Sequence, residues 1–211
     1  VGSSGSGKST LSKLLIGLFP ASSGSILFDD LDYNLLDKQY LRQQIGIVPQ
    51  DMTLFNKTIH ENIAGDISVS EEEMTKICKL VNIHDEIMEM PMGYNTLVSE
   101  MGMNLSGGQR QRIILARALV KKPKIILLDE ASASLDVESE TYVQKALSKL
   151  IQNKTVIMIA HRMRTVANAS HLVVLENGRV AEEGTSGQLL ENNGLYKHMV
   201  DLQSMSYAWK I

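Results

Sequence analysis

A chain of 211 residues, 44% hydrophobic and 21% charged, has the composition of a soluble globular protein with one domain and perhaps a subdomain. Its net charge of −3 argues against nucleic acid as the main partner, because proteins that bind nucleic acids present a strongly basic face. The single cysteine, Cys78, excludes an internal disulfide framework, and we expect a buried structural thiol in a reducing compartment. No apolar run reaches the roughly 18 residues that cross a bilayer, so we expect these residues in the cytoplasm.

The N-terminal stretch fits the pattern G-x-x-x-x-G-K-S/T of a phosphate-binding loop over residues 2–9. Its glycines let successive N–H groups turn towards an anion, Lys8 supplies a positive charge for the phosphates, and the Ser9 hydroxyl can ligate Mg²⁺. Leucines at 11, 14, 15 and 18 predict a helix with one apolar face, whereas a Gly/Ser linker has no reason to lead into such a helix. The nucleotide-binding residues predicted here are Gly2, Ser3, Ser4, Gly5, Ser6, Gly7, Lys8, Ser9 and Thr10.

Beyond this helix, short apolar strands alternate with amphipathic helices, which predicts an α/β fold with a mostly parallel, three-layer sheet. Asn177-Gly178 predicts a hairpin turn, and Ser70 with Glu73 predicts a capping box. Strands are predicted at 25–28, 45–48, 125–128, 155–160, 172–175 and 179–182. Helices are predicted at 40–44, 59–64, 70–81, 84–90, 106 to about 120, 137–152, 163–168 and 185–203, the last with a break at 192–194.

The β signal nearly vanishes between residues 51 and 121, which predicts a helical subdomain inserted into the α/β core. We therefore divide the chain into a nucleotide-binding core at 1–50 and 122–184, the helical subdomain at 51–121 and a C-terminal helical tail at 185–211. The strand that should lead into the phosphate loop is absent. Five buried apolar residues contribute on the order of 10 kcal/mol, against a domain stability of about 5–15 kcal/mol. We therefore expect an N-terminally truncated fragment that folds poorly or binds nucleotide weakly alone.

Polar residues follow three predicted parallel strands at their carboxyl ends, where open parallel sheets bind ligands. These residues are Gln50 after the strand at 45–48, Asp129 and Glu130 after the strand at 125–128, and His161 after the strand at 155–160. An acid after an apolar strand is the Walker B arrangement, so Asp129 is expected to hold Mg²⁺. Glu130 can orient or deprotonate a water that attacks the γ-phosphate. His161 can hydrogen-bond that water or the phosphate, and Gln50 can complete the metal or water shell.

A second motif, Leu105-Ser106-Gly107-Gly108-Gln109, begins the long helix before Asp129. A serine hydroxyl and two glycine N–H groups at a helix N-terminus form a second anion site, and a helix cap with a Gly-Gly hinge is the alternative interpretation. The phosphate loop, Gln50, this motif, Ile-Leu-Leu-Asp-Glu at 126–130, Ser134-Leu135-Asp136 and His161 follow one another along the chain. In this order they resemble the ATP-binding cassette (ABC) ATPases over essentially the whole chain.

The resemblance implies a P-loop NTPase fold, ATP and Mg²⁺ as cofactors, and two cassettes, identical or different, that pack head to tail. The signature motif of one cassette closes over the γ-phosphate held by the phosphate loop of the other, and Asp136 lies in a loop that crosses the interface. Hydrolysis then releases the dimer. The implied residues are Ser106, Gly107, Gly108, Gln109 and Asp136 for nucleotide contact, Ser9, Gln50 and Asp129 for the metal, and Glu130, His161 and Gln50 for catalysis.

Three stretches resemble cassettes of exporters that are fused to a membrane domain. They are Gly46 to Asp51 with Leu54-Phe55, Thr58-Ile59 with Glu61-Asn62-Ile63, and the loop from Thr96 to Gly102. Within the loop, Ser99 and Met101 stand where a glycine and an arginine are usual. Asp30 replaces a common turn glycine, and aspartate tolerates the left-handed conformation. The resemblance implies ATP-driven export at the cytoplasmic face of a membrane, with a transmembrane domain as partner and no nucleic acid.

Three alternatives belong to other functional classes. A separate ATPase subunit of an importer shares these motifs. A chromosome-organisation or DNA-repair ATPase would carry a long coiled coil between Ser9 and Leu105, but only 96 residues separate them, without sustained heptads. A regulatory module that binds nucleotide without turnover is disfavoured by Glu130 and His161, which match the family pattern.

Overall fold

The computed structural model describes residues 1–51, 53–129, 154–160 and 162–208. The strands are β1 Leu27–Phe28, β2 Leu31–Asp32, β3 Ile45–Val48, β4 Ile125–Asp129, β5 Thr155–Ile159, β6 Leu172–Glu176 and β7 Arg179–Gly184. The helices are α1 Lys8–Leu15, α2 Lys38–Gln43, α3 Ile59–Ala64, α4 Glu71–Leu80, α5 His84–Glu89, α6 Gly107–Val120, α7 Met163–Val166, α8 Ser186–Glu191 and α9 Leu195–Ala208. The helix predicted at 137–152 lies outside the described residues.

Two compact units make up the chain, one of residues 1–24 with 158–211 and the other of residues 25–157. This division differs from the three predicted parts, in which residues 1–50 and 122–184 form one core. The division into core, helical subdomain and tail stays a prediction.

The unit of residues 25–157 begins with an antiparallel hairpin of β1 and β2, in which Phe28 pairs with Leu31. Asp29 and Asp30 form its turn with φ of 47° and 65°, so the aspartate at position 30 does adopt the left-handed conformation. The strand before the turn has two residues and is shorter than predicted. The hairpin therefore depends on two aspartates that tolerate positive φ.

β3, β4 and β5 form a three-stranded sheet in that order. β3 and β4 are parallel, with Ile45 opposite Ile125 and Val48 opposite Leu128. Gly46 lets α6 approach β3, because a Cβ at this position would lie 2.4 Å from the Ala118 carbonyl oxygen. The buried parallel strand predicted at 125–128 is confirmed.

Helices α3 to α6 pack around isoleucines that have no exposed surface. These residues are Ile59, Ile63, Ile83, Ile87 and Ile113. The capping box predicted at α4 is only half formed, since Ser70 accepts from the Glu73 N–H while the Glu73 carboxylate pairs with Lys122. Reciprocal capping boxes occur instead at Thr58 with Glu61 and at Ser106 with Gln109.

The unit of residues 1–24 and 158–211 is organised around β6. Val1 lies beside it, donating to the Val173 carbonyl at 2.8 Å and accepting from the Leu175 N–H at 2.8 Å. A parallel bridge then joins Gly2 to Leu175, so the phosphate loop leaves the end of a short parallel stretch. β6 continues into β7 through the predicted hairpin turn, and the core of α7, α8 and α9 packs against Val174.

Helix α1 forms where the leucine spacing predicts it, but its leucines do not form a buried face. Leu11 and Leu18 are 44% and 59% exposed, whereas Lys8 and Ser12 are buried. Lys8 donates to the phosphate loop and Ser12 donates to the Ser9 carbonyl, so the side of α1 that carries Lys8 and Ser12 faces inwards instead of the leucines. The predicted apolar face of α1 is therefore partly exposed, with Leu14 and Leu15 half-buried.

Candidate functional site

The phosphate loop wraps around the ammonium group of Lys8, which is only 7% exposed. Its Nζ donates to the carbonyls of Gly2 and Ser3 at 2.9 and 2.7 Å, and lies 3.3 Å from Ser6 Oγ. Gly5 and Gly7 adopt φ of 77° and 103°, which side chains rarely allow, so the backbone can curl around the cation. The loop therefore holds a positive charge at its centre.

The start of α1 presents N–H groups that no side chain caps. Its N-cap residue is Gly7, whereas the serine or threonine before α3, α4, α6 and α8 accepts a hydrogen bond with its hydroxyl. An eight-residue helix with an uncapped first turn attracts an anion through its N–H groups and its dipole. Together with Lys8, this donor set fits the phosphates of a nucleotide.

The β6–β7 hairpin supports the back of the loop. The Gly178 N–H donates to the Ser6 carbonyl at 3.1 Å, and a Cβ on Gly7 would lie 3.6 Å from the Gly178 Cα. Gly2 has no room for a side chain, since a Cβ would lie 2.3 Å from the Leu175 carbonyl oxygen. The Asn-Gly dipeptide predicts a turn, but sequence reasoning missed that this turn contacts the phosphate loop.

Gln50 and Asp129 lie at one edge of the β3–β4–β5 sheet. Because Val48 is opposite Leu128 in this parallel pair, Asp129 at the end of β4 lies level with the position after β3, and Gln50 follows one residue later. Their amide and carboxylate oxygens are ligands that Mg²⁺ accepts, as is the Ser9 hydroxyl. The loop of residues 2–10 belongs to the other unit. Glu130, Asp136 and His161 lie outside the described residues, so their predicted roles stay predictions.

The signature motif forms the N-terminus of α6, as predicted. Ser106 Oγ accepts from the Gln109 N–H at 3.1 Å, and Gln109 Oε1 accepts from the Ser106 N–H at 2.9 Å. Gly107 and Gly108 form the first turn without side chains, so their N–H groups can be approached from outside the helix. The helix cap is therefore observed, and a second anion site at the same helix start stays a prediction that the cap does not exclude.

The loop before the signature motif accommodates the unusual residues at 99 and 101. Ser99 has an ordinary φ of −69°, so no glycine is required there, and its N–H and hydroxyl both bond Asn104 Oδ1 at 2.9 and 3.0 Å. Met101 has a φ of 54° and a side chain that is exposed. Arg110 fixes the end of the loop by donating to the Gly102 and Leu105 carbonyls.

Asn62 and Arg117 form a buried link that sequence reasoning missed. Asn62 is 1% exposed; its Oδ1 accepts from the Phe55 N–H at 2.8 Å and its Nδ2 donates to the Phe55 carbonyl at 2.9 Å. Arg117 of α6 donates to the Asn62 carbonyl and side chain at 2.6 and 2.7 Å. Burial lowers the pKa of this guanidinium. The segment after Gln50 is thereby tied to the helix that begins with the signature motif.

No helix within the described ranges is long and apolar enough to cross a membrane. The same ranges contain no group of three or more His, Cys, Asp and Glu side chains that could hold a metal ion. The predicted Mg²⁺ ligands include only one carboxylate, together with a hydroxyl and an amide, so they do not form a group of this type.

Comparison with known proteins gives consistent results. The family model described as ABC transporter matches residues 1–133. The toxin RTX-III translocation ATP-binding protein of Actinobacillus pleuropneumoniae is 50% identical over 206 residues, which are 97% of this chain and 29% of that protein. The leukotoxin translocation ATP-binding protein LktB of Mannheimia haemolytica is 49% identical over 205 residues, with coverages of 96% and 29%.

A structure of a bacterial Atm1-family ABC exporter with ATP bound superimposes with a TM-score of 0.91 at 42% identity. It covers 96% of this chain and 36% of the exporter chain, which confirms the predicted P-loop NTPase fold class. The chain spans 29% of the length of the two curated relatives. With the family model covering more than half of its residues, the chain belongs to the ABC transporter family, where it corresponds to the ATP-binding cassette.

Proposed function

We propose that this cassette binds ATP with Mg²⁺ and hydrolyses it, and that the complete protein uses this reaction to export a substrate across a membrane. The observation that carries the proposal is the Lys8 ammonium held at the centre of the phosphate loop, beside an uncapped helix start. The names of the relatives, which are translocation ATP-binding proteins and an ABC exporter, favour export over import.

ATP binding changes the hydrogen-bond partners of the Lys8 ammonium group. Phosphate oxygens replace the Gly2 and Ser3 carbonyls as its partners, and a phosphate oxygen is the better acceptor because it carries charge. The N–H groups of α1 donate to the same phosphates. Ser9, Gln50 and Asp129 would hold Mg²⁺, which would supply positive charge to the phosphates. Glu130 orients the attacking water, and His161 hydrogen-bonds the water or the γ-phosphate.

The proposed working unit contains two cassettes, identical or different, in head-to-tail contact. The signature residues Ser106 to Gln109 of one cassette complete the phosphate site of the other, and Asp136 lies at their interface. A transmembrane domain, in the same or a partner chain, places both cassettes at the cytoplasmic face of a membrane. The two glycines in the first turn of α6 support this role, since without side chains their N–H groups can approach a phosphate closely.

The test compares Lys8→Ala with Lys13→Ala in the complete native protein reconstituted in lipid vesicles. Both remove one lysine from α1, but Lys13 is exposed and on the far side from the loop carbonyls. We expect Lys8→Ala to lower ATP turnover about a hundredfold or more and to weaken binding of a fluorescent ATP analogue, because it removes a preorganised charge. Lys13→Ala should retain both. Unchanged nucleotide binding and turnover in Lys8→Ala would contradict the proposal.

A further inference from the structure

The Glu86 carboxylate on α5 contacts two residues at the start of α6. Its Oε1 lies 2.8 Å from Arg112 Nη2, and its Oε2 accepts from Gln109 Nε2 at 3.0 Å. Both oxygens of one side chain are thereby used on the helix that carries the signature motif. Sequence reasoning gave Glu86 no role.

Glu86 decides which way the Gln109 amide faces. Because Gln109 donates to Glu86 with its Nε2, its Oε1 is left to accept from the Ser106 N–H at 2.9 Å. A rotation of the amide by half a turn would put Nε2 against that N–H, two donors facing each other. Ser106 Oγ in turn accepts from the Gln109 N–H, so its hydroxyl hydrogen is directed elsewhere. The orientation of Ser106 therefore depends on Glu86 through one intermediate residue.

Arg112 gives Glu86 a fixed anchor. The arginine is 6% exposed and also donates to the carbonyls of Asn82 and Gly108, at 3.2 Å each. A buried guanidinium needs a counter-charge, and Glu86 is the carboxylate in contact with it. The arginine thus holds Glu86 at the position from which it reaches Gln109.

We propose that Glu86 is a positioning residue of the signature motif, which holds Ser106 and the first turn of α6 in the conformation that receives a phosphate from the partner cassette. The inference rests on the proposed function. The proposal distinguishes nucleotide binding from closure of the cassette dimer. Nucleotide binding to the phosphate loop of the same chain does not involve Glu86, whereas closure of the signature motif over the partner's nucleotide does.

An exchange of the two side chains tests this arrangement in the complete native protein. In Glu86→Gln, the introduced amide can accept from Arg112 but then turns its NH₂ towards the Gln109 NH₂. In Gln109→Glu, two carboxylates face each other. In the double variant Glu86→Gln with Gln109→Glu, the introduced amide accepts from Arg112 and donates to the introduced carboxylate. The other oxygen of that carboxylate accepts from the Ser106 N–H, so the hydrogen-bond pattern returns.

We expect each single variant to lower kcat about tenfold, equivalent to about 1.4 kcal/mol, with the dissociation constant for a fluorescent ATP analogue changed less than about twofold. The double variant should turn over faster than either single variant, although below wild type because Gln109 belongs to the signature motif and Arg112 loses its direct counter-charge. Glu89→Gln is the matched control, because Glu89 is an exposed carboxylate on the same helix, and its kcat should equal that of wild type.

Single variants that turn over as fast as Glu89→Gln would overturn the proposal, as would a double variant that folds but turns over no faster than the single variants. If a single variant does not fold, the double variant still tests the proposal, because a double variant that folds again should also turn over ATP again. Wild-type turnover is measured first. Absent turnover there would contradict the proposed function and not the role of Glu86.

Discussion

Among single residues, Cys78 shows how burial sets chemical reactivity. Its side chain is fully buried, and desolvation raises the pKa of the thiol from 9.0 to about 11. Burial also raises the pKa of the neighbouring Tyr94 phenol. Thiolates, and not thiols, are the reactive species, so Cys78 is inert at neutral pH. The expectation of a buried structural thiol is confirmed.

The raised pKa predicts slow alkylation of Cys78. In the native protein at pH 8.5, we expect iodoacetamide to modify the peptide that carries Cys78 at least about tenfold more slowly than in urea-unfolded protein. As the pH rises, the thiol ionises in the unfolded protein before it does so in the native protein. Burial of the neutral thiol therefore contributes to the free energy of unfolding below about pH 9, and this contribution is lost between about pH 9 and 11. Peptide mass spectrometry across this range measures both rates. Equal rates in the two states would contradict the assigned burial.

Site residues divide into those that a contiguous pattern identifies and those that only folding brings together. Lys8 and Ser106 are identified by neighbours within a few positions, because a loop and a helix start are local structures. Glu86 lies 23 positions from Gln109, and Asn62 lies 55 positions from Arg117. Their hydrogen bonds depend on how helices pack, which hydrophobic periodicity does not specify in detail.

At the scale of elements, the link between α3 and α6 fixes the segment after Gln50. Asn62 donates and accepts four hydrogen bonds with the chain at residues 55–58, and Arg117 lies over the Phe55 ring at 5.1 Å. Loss of this buried amide would leave its backbone partners without hydrogen bonds, which lowers the free energy of unfolding. These contacts therefore tie residues 53–58 to both helices.

Asn62→Ala should free this segment. We expect amide hydrogen exchange of residues 53–58 to become about tenfold faster or more, because the loss leaves buried donors and acceptors unpaired at about 1–3 kcal/mol. Exchange followed by mass spectrometry on the complete protein resolves the segment. Asn95→Ala is the control, because Asn95 is an exposed asparagine of the same unit, and it should leave the exchange of residues 53–58 unchanged. Unaltered protection at 53–58 in Asn62→Ala would show that Asn62 does not hold the segment.

Most elements could be predicted from the sequence, because local signals determine them. β3 at 45–48 and α3 at 59–64 have the predicted bounds, and α9 begins after the predicted break at 192–194. What failed were predictions about where side chains go. The Glu73 carboxylate pairs with Lys122 instead of capping its own helix, and Leu11 is exposed on α1. The pairing of Glu73 depends on Lys122, 49 positions away, whereas the exposure of Leu11 accompanies local hydrogen bonds of Lys8 and Ser12.

At the scale of the whole molecule, the phosphate loop and the signature motif belong to different units of the chain. The proposed head-to-tail pairing makes each ATP site from two copies. A defect in the loop and a defect in the signature motif should therefore complement each other when they are on different chains. This behaviour separates a shared site from a site built within one chain.

Co-expression of differently tagged Lys8→Ala and Ser106→Arg copies of the complete protein tests the pairing. Each homodimer has two defective sites, whereas a mixed dimer has one site with both defects and one intact site. With random mixing, half of the dimers carry one intact site of two, so we expect about a quarter of wild-type ATP turnover. Each variant expressed alone is the control. Mixed dimers that are isolated through both tags and remain inactive would refute the pairing of two copies.

The contacts of Val1 with Val173 and of Ser6 with Gly178 also determine when the nucleotide site can form. Each joins residues 172 positions apart. During synthesis at about 5–20 residues per second, the first ten residues therefore wait roughly 10–30 s for the hairpin that supports them. The contacts that support the phosphate loop are thus made 172 positions after it, so a chain whose synthesis stops before β7 lacks a completed loop.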